Sequence, residues 1–153
     1  MQRIDYAKAA PEALKKMYGL EAYLRHCGIE KSLQELVKFR VSQINGCAYC
    51  LDMHSKDARA AGETEQRLYC ISAWRETPFY SERERAALEW AEHLTLISEK
   101  HVPDDLFERT RQHFSEEELV NLTLVVTTIN AWNRFAISFQ SEPGSYQPAA
   151  ASA

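Results

Sequence analysis

Glycine and proline are scarce, at five of each in 153 residues. That excludes a collagen-like or Pro/Gly-rich low-complexity chain and leaves few points where a helix must break. No run of alternating apolar and polar residues marks a convincing strand. No apolar stretch approaches the roughly 20 residues that a membrane-spanning helix needs, so no membrane partner is expected. Basic runs and basic–aromatic stripes are lacking and the formal net charge is −4, which argues against nucleic acid as a partner. The start, Met1-Gln2-Arg3-Ile4-Asp5-Tyr6, lacks a signal peptide's apolar core and points to a cytoplasmic protein. Thiols stay mostly reduced there, so four cysteines do not read as a disulfide framework.

What the chain does have is a 45% hydrophobic content, enough for one packed core. The expectation is an all-α fold of six to seven helices in a single domain over residues 1–140. Residues 141–153, with Pro, Gly, Ser and Ala, read as a loose C-terminal tail. Pro11 opens a first helix reaching about Cys27, with Gly28 just past its end. Leu33, Leu36, Val37, Val41 and Ile44 form an apolar stripe on a second helix over 31–44. A third spans 47–61 and stops at Gly62, and Thr64 caps a fourth reaching about Trp74. Ser81 with Glu84, and Ser115 with Glu118, are capping-box pairs. They start a fifth helix and a long last one ending near Phe139, with a short helix between them from Pro103 to about His113. The last helix is apolar nearly all round and should be central.

The chemistry concentrates in Asn45-Gly46-Cys47-Ala48-Tyr49-Cys50 and His54. Asn-Gly is turn chemistry, so Cys47 should open the third helix, where free N–H groups and the helix dipole favour a thiolate. At about 100 degrees per residue, Cys47, Cys50 and His54 share one face with Ala58 and Ala61. Asp52, Lys56 and Arg59 fall on the opposite side, toward solvent. A thiolate, a resolving thiol and an imidazole on one face suit attack on an electrophile, closure of a disulfide and proton transfer. Two other readings stay open on the residues alone. Buried cysteines are common core residues. Cys47, Cys50 and His54 could also supply three zinc ligands, although no second ligand pair follows. Cys27 and Cys70 lack this context and read as inert. His26, His93, His101 and His113 read as surface or helix-end histidines.

With these residues the sequence resembles the AhpD-like alkylhydroperoxidase branch of the carboxymuconolactone decarboxylase superfamily. The resemblance runs from about Met17 to Phe139 and rests on Glu35, the Cys47–Cys50 motif and His54. Trp74-Arg75-Glu76-Thr77, Ser81–Leu88 and Asn130-Ala131-Trp132-Asn133-Arg134 add to it. It implies an AhpD-like helical domain that is obligately oligomeric, as a homotrimer or homohexamer. It implies Cys50 as the peroxidatic cysteine, Cys47 as its resolving partner, and Glu35 with His54 as the proton relay. The substrate would be a hydroperoxide and the reductant a thiol or dithiol, with no cofactor and no metal. Glu35 enters only through the resemblance, because it lies nearly opposite the apolar stripe and otherwise reads as a solvated glutamate. Cys47, nearer the helix start, should be the more exposed cysteine and suit contact with the reductant.

One departure from the branch bears on activity. Tyr49 stands where the best-known members carry a histidine of the proton network, and tyrosine is a poor base near neutrality. A redox-sensing or scaffold protein with little turnover is therefore the alternative to a peroxidase. Arg134 interrupts the apolar last helix and is expected to pair with an acidic residue of the fifth helix, Glu84.

Overall fold

The computed structural model describes residues 1–149. The last residues of the tail, 150–153, lie outside them. Among the described residues the fold is all-helical, with nine α-helices, one 3-10 segment and no strand. The helices are α1 (Tyr6–Ala9), α2 (Pro11–Leu24), α3 (Lys31–Asn45), α4 (Ala48–Ala60) and α5 (Glu65–Cys70). A 3-10 segment follows over Ile71–Glu76, and then α6 (Glu82–Thr95), α7 (Ile97–Lys100), α8 (Asp104–Arg111) and α9 (Glu116–Phe139). No helix is long and apolar enough to cross a membrane.

α3 is the hub, packed against α4, α6 and α9. Val37 and Val41 on α3 meet Ala87 and Ala91 of α6 and Leu122, Val125, Val126 and Ile129 of α9 in the main core. These side chains are at most 1% exposed. Burying a Val or Leu side chain contributes about 1.5–3 kcal/mol, so this three-helix contact dominates the stability. The β-branched run Val125–Ile129 is helical, because α9 starts in a complete capping box at Ser115 and Glu118 and its buried residues recur at helical spacing. Its outer side is not fully covered: Val120 is 68% exposed.

The α-helix count exceeds the expectation because the separate turn α7 follows the helix from Ser81 and the short α1 is added at the start, and one expected helix changes type part-way. The segment 64–76 leaves α-geometry after Cys70, with Ala73 off-helical. Trp74 is anchored there by its indole N–H, which donates to Glu92 Oε1 at 3.0 Å. The helix from Ser81 ends at Thr95, and Ile97 starts the separate turn α7. α1 is capped by Asp5, whose carboxylate accepts from the Lys8 N–H. α2 stops at Leu24, short of Cys27.

A candidate dithiol site

Gly46 ends α3 in the left-handed region at φ 67°, a conformation that glycine adopts without steric cost. The chain turns there, and Cys47 becomes the N-cap of α4. Its backbone N–H donates to Ser42 O at 3.0 Å. Its Sγ accepts from the Cys50 N–H at 3.3 Å, satisfying one of the free donors of the first turn. Cys47 and Cys50 are joined as a disulfide with Cα atoms 5.3 Å apart. Cys27 and Cys70 are free.

The turn is fixed from α9. Asn45 Nδ2 donates to Asn133 Oδ1 at 2.8 Å and to Asn130 Oδ1 at 3.0 Å. Asn133 Nδ2 in turn donates to Ser42 Oγ at 3.1 Å. The asparagines that interrupt the apolar face of α9 thus hold the last turn of α3, at Ser42 and Asn45, from which the thiol turn departs. Arg134 does not reach α6. It is exposed, and it donates to Asn130 O and Oδ1 on its own helix. Glu84 pairs instead with Arg67 at 2.6 Å.

One turn beyond Cys50, His54 is buried, and its Nδ1 lies 2.9 Å from Glu35 Oε2. Glu35 is 7% exposed and is not the solvated glutamate that its position opposite the α3 stripe implied. The physical reason is that α4 packs across this side of α3 and covers it. Burial pushes the Glu35 carboxyl up. The hydrogen bond and charge of His54, with Lys38 and Lys31, outweigh burial and hold it below its ordinary value. An ionised carboxylate only accepts, so Nδ1 carries the proton of this pair and Nε2 is the ring nitrogen left for exchange.

Cys50, Glu35 and His54 line a cavity of about 420 Å³. Its aromatic walls include Tyr6, Tyr18, Tyr49, Trp132 and Tyr146. Tyr49 replaces no base: burial, then neighbouring Tyr6, Tyr18 and Asp52, push its phenol up, so near neutrality it only donates or accepts a hydrogen bond. Lys38, nearly buried, is neutralised by Glu21 at 3.1 Å, and Glu21 also accepts from the Trp132 indole at 3.0 Å. Cys47 does not line the cavity and is 1% exposed, against 4% for Cys50. The expected order of exposure is therefore reversed, because the N-cap position turns the Cys47 sulfur back onto the first-turn amides.

Three site residues escaped the sequence reading. Asp57 lies three residues after His54, a spacing that puts it on the same face of α4. Glu35, His54 and Asp57 offer ligand-type atoms within 4.8 Å of one another. That set, two carboxylates and one imidazole, is the group among the described residues that could hold a metal ion. It differs from the two-cysteine set considered from sequence, whose sulfurs are bonded to each other. Lys38 gave no signal beyond its charge. Tyr146 gave none, since it belongs to the tail that read as loose.

The helical architecture and the position of this site place the chain among known proteins. A model of the Carboxymuconolactone decarboxylase family matches residues 9–93, and the chain belongs to that family. It is 51% identical over 144 residues to the uncharacterized protein YdfG of Bacillus subtilis, covering 94% of this chain and 98% of YdfG. A solved structure of a protein of unknown function from Agrobacterium tumefaciens superposes with a TM-score of 0.91 at 47% identity. That protein is described as a candidate antioxidant-defence protein AhpD, and the match covers 95% of this chain and all of the other. Over 41 residues the chain is 49% identical to the alkyl hydroperoxide reductase AhpD of Mycobacteroides abscessus, covering 27% of this chain and 23% of that protein. The fold is thus AhpD-like.

Proposed function

We propose that the protein is a thiol-dependent peroxidase that reduces hydroperoxides through a Cys47–Cys50 dithiol–disulfide cycle. The observation that carries this reading is the cavity in which Cys50 opens beside the Glu35–His54 pair, with Cys47 bonded behind it. In the reduced protein the Cys50 thiol gives its proton to His54 Nε2, and the thiolate attacks a peroxide oxygen. The S–O bond forms as the O–O bond breaks, and the leaving alkoxide takes a proton from His54 Nε2. Cys50 is then a sulfenic acid and the peroxide an alcohol. The Cys47 thiolate, favoured by the Cys50 N–H and the start of α4, attacks Cys50 Sγ. Hydroxide leaves as water with the proton that the Cys47 thiol gave up on becoming a thiolate, and the disulfide closes. An external thiol or dithiol then supplies two electrons to restore both thiols. Glu35 acts through His54 by accepting from its Nδ1 at 2.9 Å, which fixes the tautomer and turns Nε2 toward the cavity.

This chemistry fits a reducing compartment such as the cytoplasm and an oligomer, a homotrimer or homohexamer. Exposed Val120, Tyr69 and Phe107 are apolar surface that such an assembly would cover. A second reading, a redox sensor with little turnover, is favoured by the near-complete burial of both sulfurs and by Tyr49 in place of a base. The experiment that separates them is steady-state consumption of an alkyl hydroperoxide with dithiothreitol as reductant. Sustained turnover that Cys50→Ser abolishes supports the peroxidase. A single oxidation without turnover supports the sensor.

A further inference from the structure

The C-terminal segment is not a loose extension where it is described. After α9, the chain doubles back over the solvent side of α4. The Gly144 N–H donates to Asp52 Oδ2 at 2.9 Å, and Lys56 Nζ donates to Tyr146 O at 3.0 Å. Asp52 and Lys56, which face away from the thiols, are consequently only half-exposed rather than open to solvent. Tyr146 then reaches over the edge of the helix. Its hydroxyl donates to Asp57 Oδ1 at 2.6 Å, and its ring forms one wall of the cavity containing Cys50 and His54.

This strap is held mainly by polar contacts. Gly144 and Ser145 are exposed, and among the described residues none of the segment joins a buried apolar cluster. Segments with few buried apolar contacts open locally at low cost. Cys50 is 4% exposed with the strap in place, and the wall that Tyr146 forms is the part of the cavity least tied to the core. The other walls stand on α2, α3, α4 and α9, or, for Tyr6, on α1.

We propose that Tyr146 is a specificity-determining residue. The strap admits small hydroperoxides while closed and must be displaced before a bulkier thiol reductant reaches the disulfide. The proposal rests on the peroxidase reading for its substrates. In the reductive step, a thiolate of an external dithiol attacks Cys50 Sγ, the sulfur facing the cavity. The Cys47–Cys50 bond breaks and Cys47 leaves as a thiolate. The second thiol of the reductant attacks the external sulfur of the mixed disulfide, releasing Cys50 as a thiolate and closing the reductant's own disulfide. The protein disulfide gains two electrons and the dithiol loses them.

The test uses the full chain, reduced, and two maleimides of one chemistry and different size, N-ethylmaleimide and a poly(ethylene glycol) maleimide. Rates are read at Cys50 by peptide mass, in wild type, Tyr146→Ala and Lys56→Met, with circular dichroism to verify folding. Lys56→Met removes the strap's lysine anchor without touching the cavity lining. The ratio of bulky to small reagent rates should rise about tenfold in either folded variant, the effect of losing one or two net hydrogen bonds that hold a local closure. Unchanged ratios in both variants overturn the proposal. The readout needs no peroxide. A raised ratio in a protein that leaves hydroperoxides intact keeps the strap and removes the peroxidase reading. Normal turnover with unchanged ratios removes the strap alone.

Discussion

Glu35 Oε2 lies 2.9 Å from His54 Nδ1, so a carboxylate in the second turn of α3 orients an imidazole nearly two turns into α4. Both side chains are buried, and His54 is on the face that carries Cys50. The contact joins the hub helix of the core to the helix that holds the thiols. It is where packing becomes chemistry.

If that pair tunes the thiols, removing either member changes their reactivity with pH. Glu35→Gln and His54→Gln should both shift the iodoacetamide alkylation profile of reduced Cys50 to higher pH and slow alkylation near neutrality. Each variant keeps a polar group of similar reach, so the fold should survive. Superimposable profiles would show that neither residue acts on the thiols.

The two cysteines should differ on substitution. Cys50→Ser should lose peroxide turnover. Cys47→Ser should undergo one oxidation and stop as a sulfenic acid or mixed disulfide at Cys50, detectable by mass with a sulfenic-acid trap. Normal turnover by Cys47→Ser would remove its resolving role.

Acid stability should depend on Glu92. Burial pushes its carboxyl up, but hydrogen bonds from Arg75, Trp74 and Arg40 outweigh burial and hold it below its ordinary value of 4.5. A carboxylate depressed in the folded state binds fewer protons there than in the unfolded chain. Its contribution is therefore full above 4.5 and is lost as pH falls below that value toward the folded pKa. Glu35, depressed by His54, adds to the same acid limb. Glu92→Gln should cost about 3 kcal/mol near neutrality, because Arg40 loses its buried partner. It should also flatten the decline below pH 4.5, as followed by urea midpoints. An unchanged acid slope would show that Glu92 does not drive it.

Asn133 should matter more than its distance from the chemistry implies. Asn133→Ala leaves Asn45 and Ser42 each short of a partner. Unpaired buried polar groups cost about 1–3 kcal/mol. The expected result is a loss of about 2 kcal/mol in urea unfolding together with slower closure of the Cys47–Cys50 disulfide. A change in stability alone would confine Asn133 to the core.

Much of this structure was legible locally. The Ser81–Glu84 and Ser115–Glu118 boxes announce α6 and α9, and both form completely. Asn45-Gly46 announces the turn that makes Cys47 an N-cap, and helical spacing alone aligns Cys50 with His54. What stayed hidden depends on contacts between distant segments. Glu35 is buried only because α4 crosses α3, which the α3 pattern does not encode. Tyr146 is drawn to the site by Asp52, Lys56 and Asp57, roughly ninety residues earlier. The break after Cys70 follows from Trp74 reaching Glu92 on another helix. The reversed exposure of the cysteines reflects cap geometry, which helical angles do not describe.

The most direct test of the thiol cycle is a single-turnover experiment on the fully reduced protein with an equimolar amount of tert-butyl hydroperoxide and no reductant. Tert-butanol and the Cys47–Cys50 disulfide peptide are quantified from the same sample. The cycle requires that they appear in equal amounts, with Cys27 and Cys70 still reduced. Intact hydroperoxide, or alcohol formed while Cys47 and Cys50 remain thiols, would contradict it.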